Sequence, residues 1–180
     1  MRILKDRTAA LIIDIQERIF PAINEHERLE KNLAILIEGL KIMKIPIFVT
    51  EQYTKGLGPT IPSVAALLGD IRRIEKQSFS CCDEPRVMEG LAVLAHDNVI
   101  IAGIESHVCV LQTVIDLKRN GYHPIVVEDC VSSRRENDKR IALERMRQEG
   151  TIITTCESLL FELLRFSGTE PFKAISKLVK

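Results

Sequence analysis

The sequence predicts an α/β protein, a three-layer αβα sandwich on a six-stranded parallel sheet, and three observations lead there. Short apolar runs rich in Ile and Val recur along the chain. Between them lie stretches with apolar residues at helical spacing and charged residues on the opposite face. Aromatic residues make up only 4% of the 180 residues and Trp is absent, so Ile, Leu, Val and Ala must build the core. Such a composition suits helices covering both faces of a parallel sheet, joined by right-handed crossovers.

Each element follows in order. Ala9 to Ile13 reads as the first buried strand, and Leu29, Leu33, Leu36, Ile37 and Leu40 form the stripe of the first long helix. Pro46 opens the second strand, Ile45 to Val49. The segment Lys55 to Pro62, with Gly56, Gly58 and Pro59, reads as a loop of the kind kept for ligand or partner contact. A weaker run, Ile71 to Glu75, is the third strand, and Val99 to Ile104 is the fourth. Val110, Val114 and Leu117 mark a helix that Asn120-Gly121 ends. Ile125 to Val127 is the fifth strand; Gly150 ends the next helix, and Thr151 to Ile153 is the sixth strand. Pro171 to Lys180 reads either as a short amphipathic helix that docks on a neighbour or as a frayed tail. No linker-like shift or internal repeat divides the chain, so residues 1–180 are expected to form one domain.

Twenty-five Lys and Arg balance 25 Asp and Glu, which argues against a nucleic-acid binder, because that affinity rests on neutralising phosphates. The apolar runs are too short for a signal peptide or a membrane span, so a cytoplasmic protein with no membrane partner is expected. The five cysteines, Cys81, Cys82, Cys109, Cys130 and Cys156, read as free thiols, and no C-x-x-C pair suggests zinc.

Ligands of an open α/β sheet bind beyond the carboxyl ends of its strands. Asp14 directly follows the first run, Lys76 ends the third and Cys109 lies just past the fourth. Taken singly, each has a plain reading: a capping or loop Asp, a solvated Lys, a buried apolar Cys. Ser106 is expected to cap a helix starting near His107, which places the Cys109 thiol in a first turn, at the positive end of the helix dipole. That dipole alone moves a thiol pKa by roughly one unit, so activation also needs a base and a cation. Asp14, Lys76 and Cys109 together supply base, electrostatic anchor and nucleophile. His107 lies two residues before Cys109, about 200° away around a helix, so its side chain diverges and takes a surface or rim role. Cys130 is expected to be structural, and Cys81 and Cys82 to pack, with oxidation sensitivity as the sharper alternative.

Three stretches carry a resemblance: Ala10-Leu11-Ile12-Ile13-Asp14-Ile15-Gln16, Lys76-Gln77-Ser78-Phe79-Ser80, and Gly103-Ile104-Glu105-Ser106-His107-Val108-Cys109-Val110. In this order and spacing they resemble the signature segments of the isochorismatase-like cysteine hydrolases, over about Thr8 to Leu164. The resemblance implies a Rossmann-like fold with a catalytic triad of Asp14, Lys76 and Cys109. It also implies a cis peptide at Ile104–Glu105, with the backbone N–H groups of Glu105 and Cys109 forming an oxyanion hole. Homo-oligomers, a dimer or larger, are expected on the same ground. Gln16, Gln52, Tyr53, Phe79 and Ile104 are candidates to line the substrate pocket.

The expected chemistry is hydrolysis of a small amide-type, non-peptide substrate through a Cys109 thioester, with no cofactor and no metal. The sequence departs from the nicotinamidases of this family, which carry an Asp-x-His set and a further metal-binding His after the second strand; here Thr50-Glu51-Gln52-Tyr53 follows, with no His between His26 and His96. Isochorismatases proper lack the nucleophilic cysteine. What remains resembles the isochorismatase-domain branch whose second strand also runs into Thr-Glu-Gln-Tyr and Gly-Leu-Gly-Pro-Thr segments. A dinucleotide module is disfavoured because no Gly-rich turn follows the first strand. A receiver domain would want an Asp where Lys76 stands. The alternative of another class is an oligomeric binding protein, catalytically weak, on the same fold.

Overall fold

The computed structural model describes residues 2–180. Its strands are β1 (Thr8–Ile13), β2 (Ile47–Gln52), β3 (Arg73–Lys76), β4 (Asn98–Ile104), β5 (His123–Ser132) and β6 (Ile152–Thr154). They form one all-parallel sheet in the order β3-β2-β1-β4-β5-β6. The chain builds outward from β1 to β3, then returns to the other side of β1 with β4. This reversal makes the carboxyl ends of β1 and β4 the topological switch point, the place where such sheets bind ligands.

The helices are α1 (His26–Ile42), α2 (Thr54–Leu57), α3 (Pro62–Leu68), α4 (Pro85–Leu94), α5 (Leu111–Arg119), α6 (Glu136–Gln148), α7 (Cys156–Leu164) and α8 (Glu170–Leu178). Every residue of β1 is buried, because each face of a central parallel strand meets helices. Ala10 and Ile12 join the core shared with α1, α3, α7 and α8. Ala9, Leu11 and Ile13 join the core shared with α4, α5 and α6. The α1 stripe of Leu29, Leu33, Leu36, Ile37 and Leu40 is buried as its spacing predicts.

The six strands occur where the apolar runs place them, with shifted ends. β2 continues past Val49 through Thr50, Glu51 and Gln52, and β3 ends on Lys76 rather than Glu75. Polar residues at these carboxyl ends keep strand geometry because Val49↔Arg73 to Gln52↔Lys76 stay in register, although the apolar signal has stopped. β5 runs on to Ser132, but its pairing with β4 jumps from Ile101↔Val126 to Gly103↔Val131, so Glu128 and Asp129 lie in an irregular stretch. There the Asp129 carboxylate accepts a hydrogen bond from the Cys156 N–H at 2.8 Å and satisfies the start of α7.

The predicted loop Lys55 to Pro62 is partly helical, since α2 covers Thr54–Leu57 and Pro62 begins α3. The C-terminal segment is not a frayed tail but the short helix α8. α8 packs on α1 and α7 of its own chain, with Ile175 fully buried and Phe172 against Phe161. Among the described residues, no helix is long and apolar enough to cross a membrane.

Candidate active site

The sheet register brings the first two residues of the site together. Ile13 pairs with Thr50, and Gln52 pairs with Lys76, so Asp14, Gln52 and Lys76 leave three adjacent strand ends. Asp14 takes a left-handed backbone conformation (φ 54°), which aspartate tolerates better than most residues. Its carboxylate accepts a hydrogen bond from Thr50 Oγ1 at 2.8 Å and one from Lys76 Nζ at 2.7 Å. The ion pair is shut off from solvent, with side-chain exposures of 0% for Lys76 and 4% for Asp14. Lys76 is thus no solvated surface lysine.

The Lys76 ammonium faces four oxygens: Asp14 Oδ2 and Gln52 Oε1 at 2.7 Å, and the Ser78 and Phe79 carbonyls at 3.1 Å. It has three protons to share among them. Burial by itself lowers the pKa of such an amine, but the attraction of the groups around it, Asp14 first, leaves it above its ordinary value.

Cys109 arrives from the other side of β1. β4 ends at Ile104, the Ile104–Glu105 peptide is cis, and residues Ser106–Val110 form a π turn before α5. The Val110 N–H reaches back to the Glu105 carbonyl at 3.2 Å, the wide spacing of a π turn. The expected Ser106 cap does not form. Residue 105 takes the capping position, and the buried Ser106 Oγ makes no hydrogen bond among the described residues. A π turn swings its N-terminal serine away from the N–H groups an α-helical cap would serve.

The Cys109 thiol makes a long contact with Gln52 Oε1 at 3.9 Å. Burial pushes this thiol well up, the Asp14 carboxylate pushes it further through charge and as a hydrogen-bond acceptor, and Lys76 pulls the other way. Burial and the neighbouring carboxylate thus both favour the thiol over the thiolate.

Two threonines that are not among the candidate site residues tie these parts together. Thr50 Oγ1 holds Asp14 and also lies 3.7 Å from Cys81 Sγ. Thr113 Oγ1 donates to the Cys109 carbonyl at 2.7 Å and accepts from the Cys81 N–H at 2.9 Å. A hydroxyl one helical turn after the cysteine is the only sequence signal for the second.

The pocket candidates divide. Gln52 stands between Lys76 and Cys109. Gln16 does not open to a pocket: it is fully buried, with Nε2 donating to the Gln52 and Gly58 carbonyls and Oε1 accepting from the Gln52 N–H. Ile104 is buried in the core shared with α1. Tyr53 and Phe79 are about half exposed, yet both are anchored through backbone bonds to Lys76, whose carbonyl takes the Tyr53 N–H at 3.0 Å. Glu105 is spoken for by Arg134, whose N–H and Nε donate to its carboxylate at 3.1 and 3.0 Å. His107 diverges from Cys109 and contacts Ser133 Oγ at 3.0 Å.

All five cysteines are free. Burial and then Asp14 push Cys81 up to about 11, and burial and then Cys81 push Cys82 up to about 12. Cys130 is buried and raised as well, with its neighbour Cys156 adding to burial. Among the described residues no three His, Cys, Asp or Glu side chains are grouped as metal ligands. A groove of about 560 Å³ lies elsewhere, over the ends of β5 and β6, lined by Arg28, Glu128, Lys139 and Thr154 among others. The chemistry-bearing residues do not line it, so size alone is a poor guide to this site.

The Isochorismatase domain family matches residues 8–158. Isochorismatase domain-containing protein 2A of Mus musculus is 36% identical over 99% of this chain and 85% of its own length. The solved structure of the MAR1 ribonuclease from Caenorhabditis elegans superposes with a TM-score of 0.92 at 38% identity, covering 99% of this chain and 92% of that one. The YcaC gene product of Escherichia coli, described as an octameric hydrolase of unknown specificity, has a TM-score of 0.92 over 99% of this chain and 90% of its own. At 22% identity that likeness speaks to the fold alone. The strand order, the signature segments and the full-length similarity agree, and the chain belongs to the isochorismatase family.

Proposed function

We propose that the protein is a cysteine hydrolase of a small, non-peptide amide, with Asp14, Lys76 and Cys109 as its catalytic triad. The observation that carries this reading is the solvent-shielded Lys76–Asp14 pair at 2.7 Å, with Gln52 Oε1 bridging from Lys76 to the Cys109 sulfur. An ion pair costs too much to bury without compensation, and here it stands beside a thiol at the switch point of the sheet.

In this mechanism Asp14 takes the thiol proton as the sulfur forms a bond to the amide carbon. The carbonyl electrons move onto oxygen, which the Glu105 and Cys109 N–H groups hold. The C–N bond then breaks, Asp14 returns its proton to the departing amine, and water cleaves the thioester to restore the thiol. Lys76 holds the Asp14 carboxylate in place and offsets the charge that develops on sulfur.

Ammonia release from a panel of small primary amides tests this, with Cys109→Ala as the blank. Release above the blank for at least one amide is expected; none above it across the panel would favour the oligomeric binding protein. The similarity to a MAR1 ribonuclease favours one second reading, cleavage of RNA. A formal net charge of zero supplies no general field for phosphates. End-labelled RNA cut by the wild type and not by Cys109→Ala would establish that reading over the amide one. We also propose that the protein forms homo-oligomers, which sedimentation velocity reads directly.

A further inference from the structure

Gln52 occupies a place that the three catalytic side chains leave unexplained. Its amide orientation is set by its surroundings: Nε2 donates to the Gln77 carbonyl at 2.7 Å, which turns Oε1 toward Lys76 Nζ, also at 2.7 Å. Reversing the amide would set an NH₂ group against an ammonium and a carbonyl against a carbonyl. Its backbone is clamped from both sides by Gln16, which accepts from the Gln52 N–H at 2.7 Å and donates to its carbonyl at 3.0 Å. The side-chain carbonyl is thus held where it meets both Lys76 and, at 3.9 Å, the Cys109 sulfur.

Four oxygens already compete for the three Lys76 protons, so none is left over for sulfur. Asp14 is charged, and the Ser78 and Phe79 carbonyls belong to the backbone. Gln52 Oε1 is the one neutral side-chain acceptor in the set, and it lies between the ammonium and the thiol. We propose that Gln52 is a positioning residue that latches the resting site: its carbonyl engages Lys76 and the Cys109 thiol together, and must release the ammonium before the sulfur can act as a thiolate. This rests on the hydrolase reading insofar as Cys109 is the nucleophile. The latch keeps a reactive sulfur protonated until a substrate carbonyl enters and offers the sulfur a partner.

The groups facing the sulfur are Asp14 from β1, Lys76 from β3 and Cys81 from the turn after β3. A carbonyl that accepts from the thiol and takes a proton of Lys76 favours the neutral sulfur on both counts. The pH profile of Cys109 alkylation by iodoacetamide, read residue by residue by mass spectrometry, therefore tests the latch. Gln52→Met keeps the volume and removes the carbonyl; its midpoint should fall by about one pH unit, roughly a tenfold faster alkylation below the midpoint. Gln52→Glu puts a carboxylate in the same place and should move the midpoint up. A change in access alone alters the plateau rate and leaves the midpoint where it was. An unmoved midpoint in Gln52→Met, or a shift of both variants in one direction, would overturn the latch. Asp14→Asn separates the two ideas: if it leaves the profile unchanged, the base assignment fails and the latch stands or falls on the Gln52 variants.

Discussion

At the residue scale the site is governed by one buried charge pair. Lys76 and Asp14 have almost no solvent contact, so removing either partner strands the other in a poorly polarisable interior. Asp14→Asn or Lys76→Met is expected to cost about 3–5 kcal/mol each in urea unfolding. The double variant Asp14→Asn/Lys76→Met should lose much less than the sum, because two neutral groups need no compensation. Additive losses would mean that the pair is not energetically coupled. Nothing in the sequence distinguishes this lysine from the 24 other basic residues of the chain except its place at a strand end within a signature segment. Its burial follows from the four oxygens that converge on it, and those come from β1, β2 and the turn after β3. Gln16 makes the complementary point. It is a pocket candidate in the sequence, yet just past the end of β1 its amide turns inward to clasp the end of β2.

At the element scale, the approach of β1 to β4 decides where Cys109 sits. Gly103 pairs with Ile13 at the last step of that ladder, with φ of 126°. A Cβ there would lie 2.1 Å from the Ile13 carbonyl oxygen, a backbone atom that cannot step aside. Gly103→Ala should therefore destabilise the fold by at least about 2 kcal/mol and reduce Cys109 alkylation selectivity. Differential scanning calorimetry with the labelling assay checks both, and an unchanged Tm would remove the close-approach argument. Helix prediction at this place was legible in kind and not in detail. The apolar spacing of Val110, Val114 and Leu117 marks a helix correctly. The π turn that carries Cys109 has no hydrophobic signature of its own, because its extra residue is accommodated by the backbone rather than by a change of pattern.

At the scale of the whole molecule, buried thiols are spread over both layers of the sandwich: Cys81 and Cys109 in one core, Cys130 and Cys156 in the other. Burial raises Cys81 to about 11 and Cys82 to about 12, and it raises Cys109 and Cys130 as well. An unfolded thiol titrates near about 8.5. Above that pH the unfolded chain gives up protons that the folded chain keeps, so stability falls as pH rises toward the folded values. The Tm at pH 10 should lie below that at pH 8 by at least about 5 °C. Cys81→Ala should flatten the decline, and a Tm independent of pH over this interval would contradict it. The sequence by itself determined the αβα layering, the six strands in place and the three segments that end at one edge of the sheet, because apolar periodicity reports burial directly and a parallel sheet buries its strands on both faces. Only the tertiary structure decided that Lys76 is sealed against Asp14, that Gln52 stands between that pair and the thiol, and that Thr50 and Thr113 brace them. These are contacts between residues far apart in the chain, created by strand register and a π turn, and neither leaves a periodic trace in the order of the amino acids.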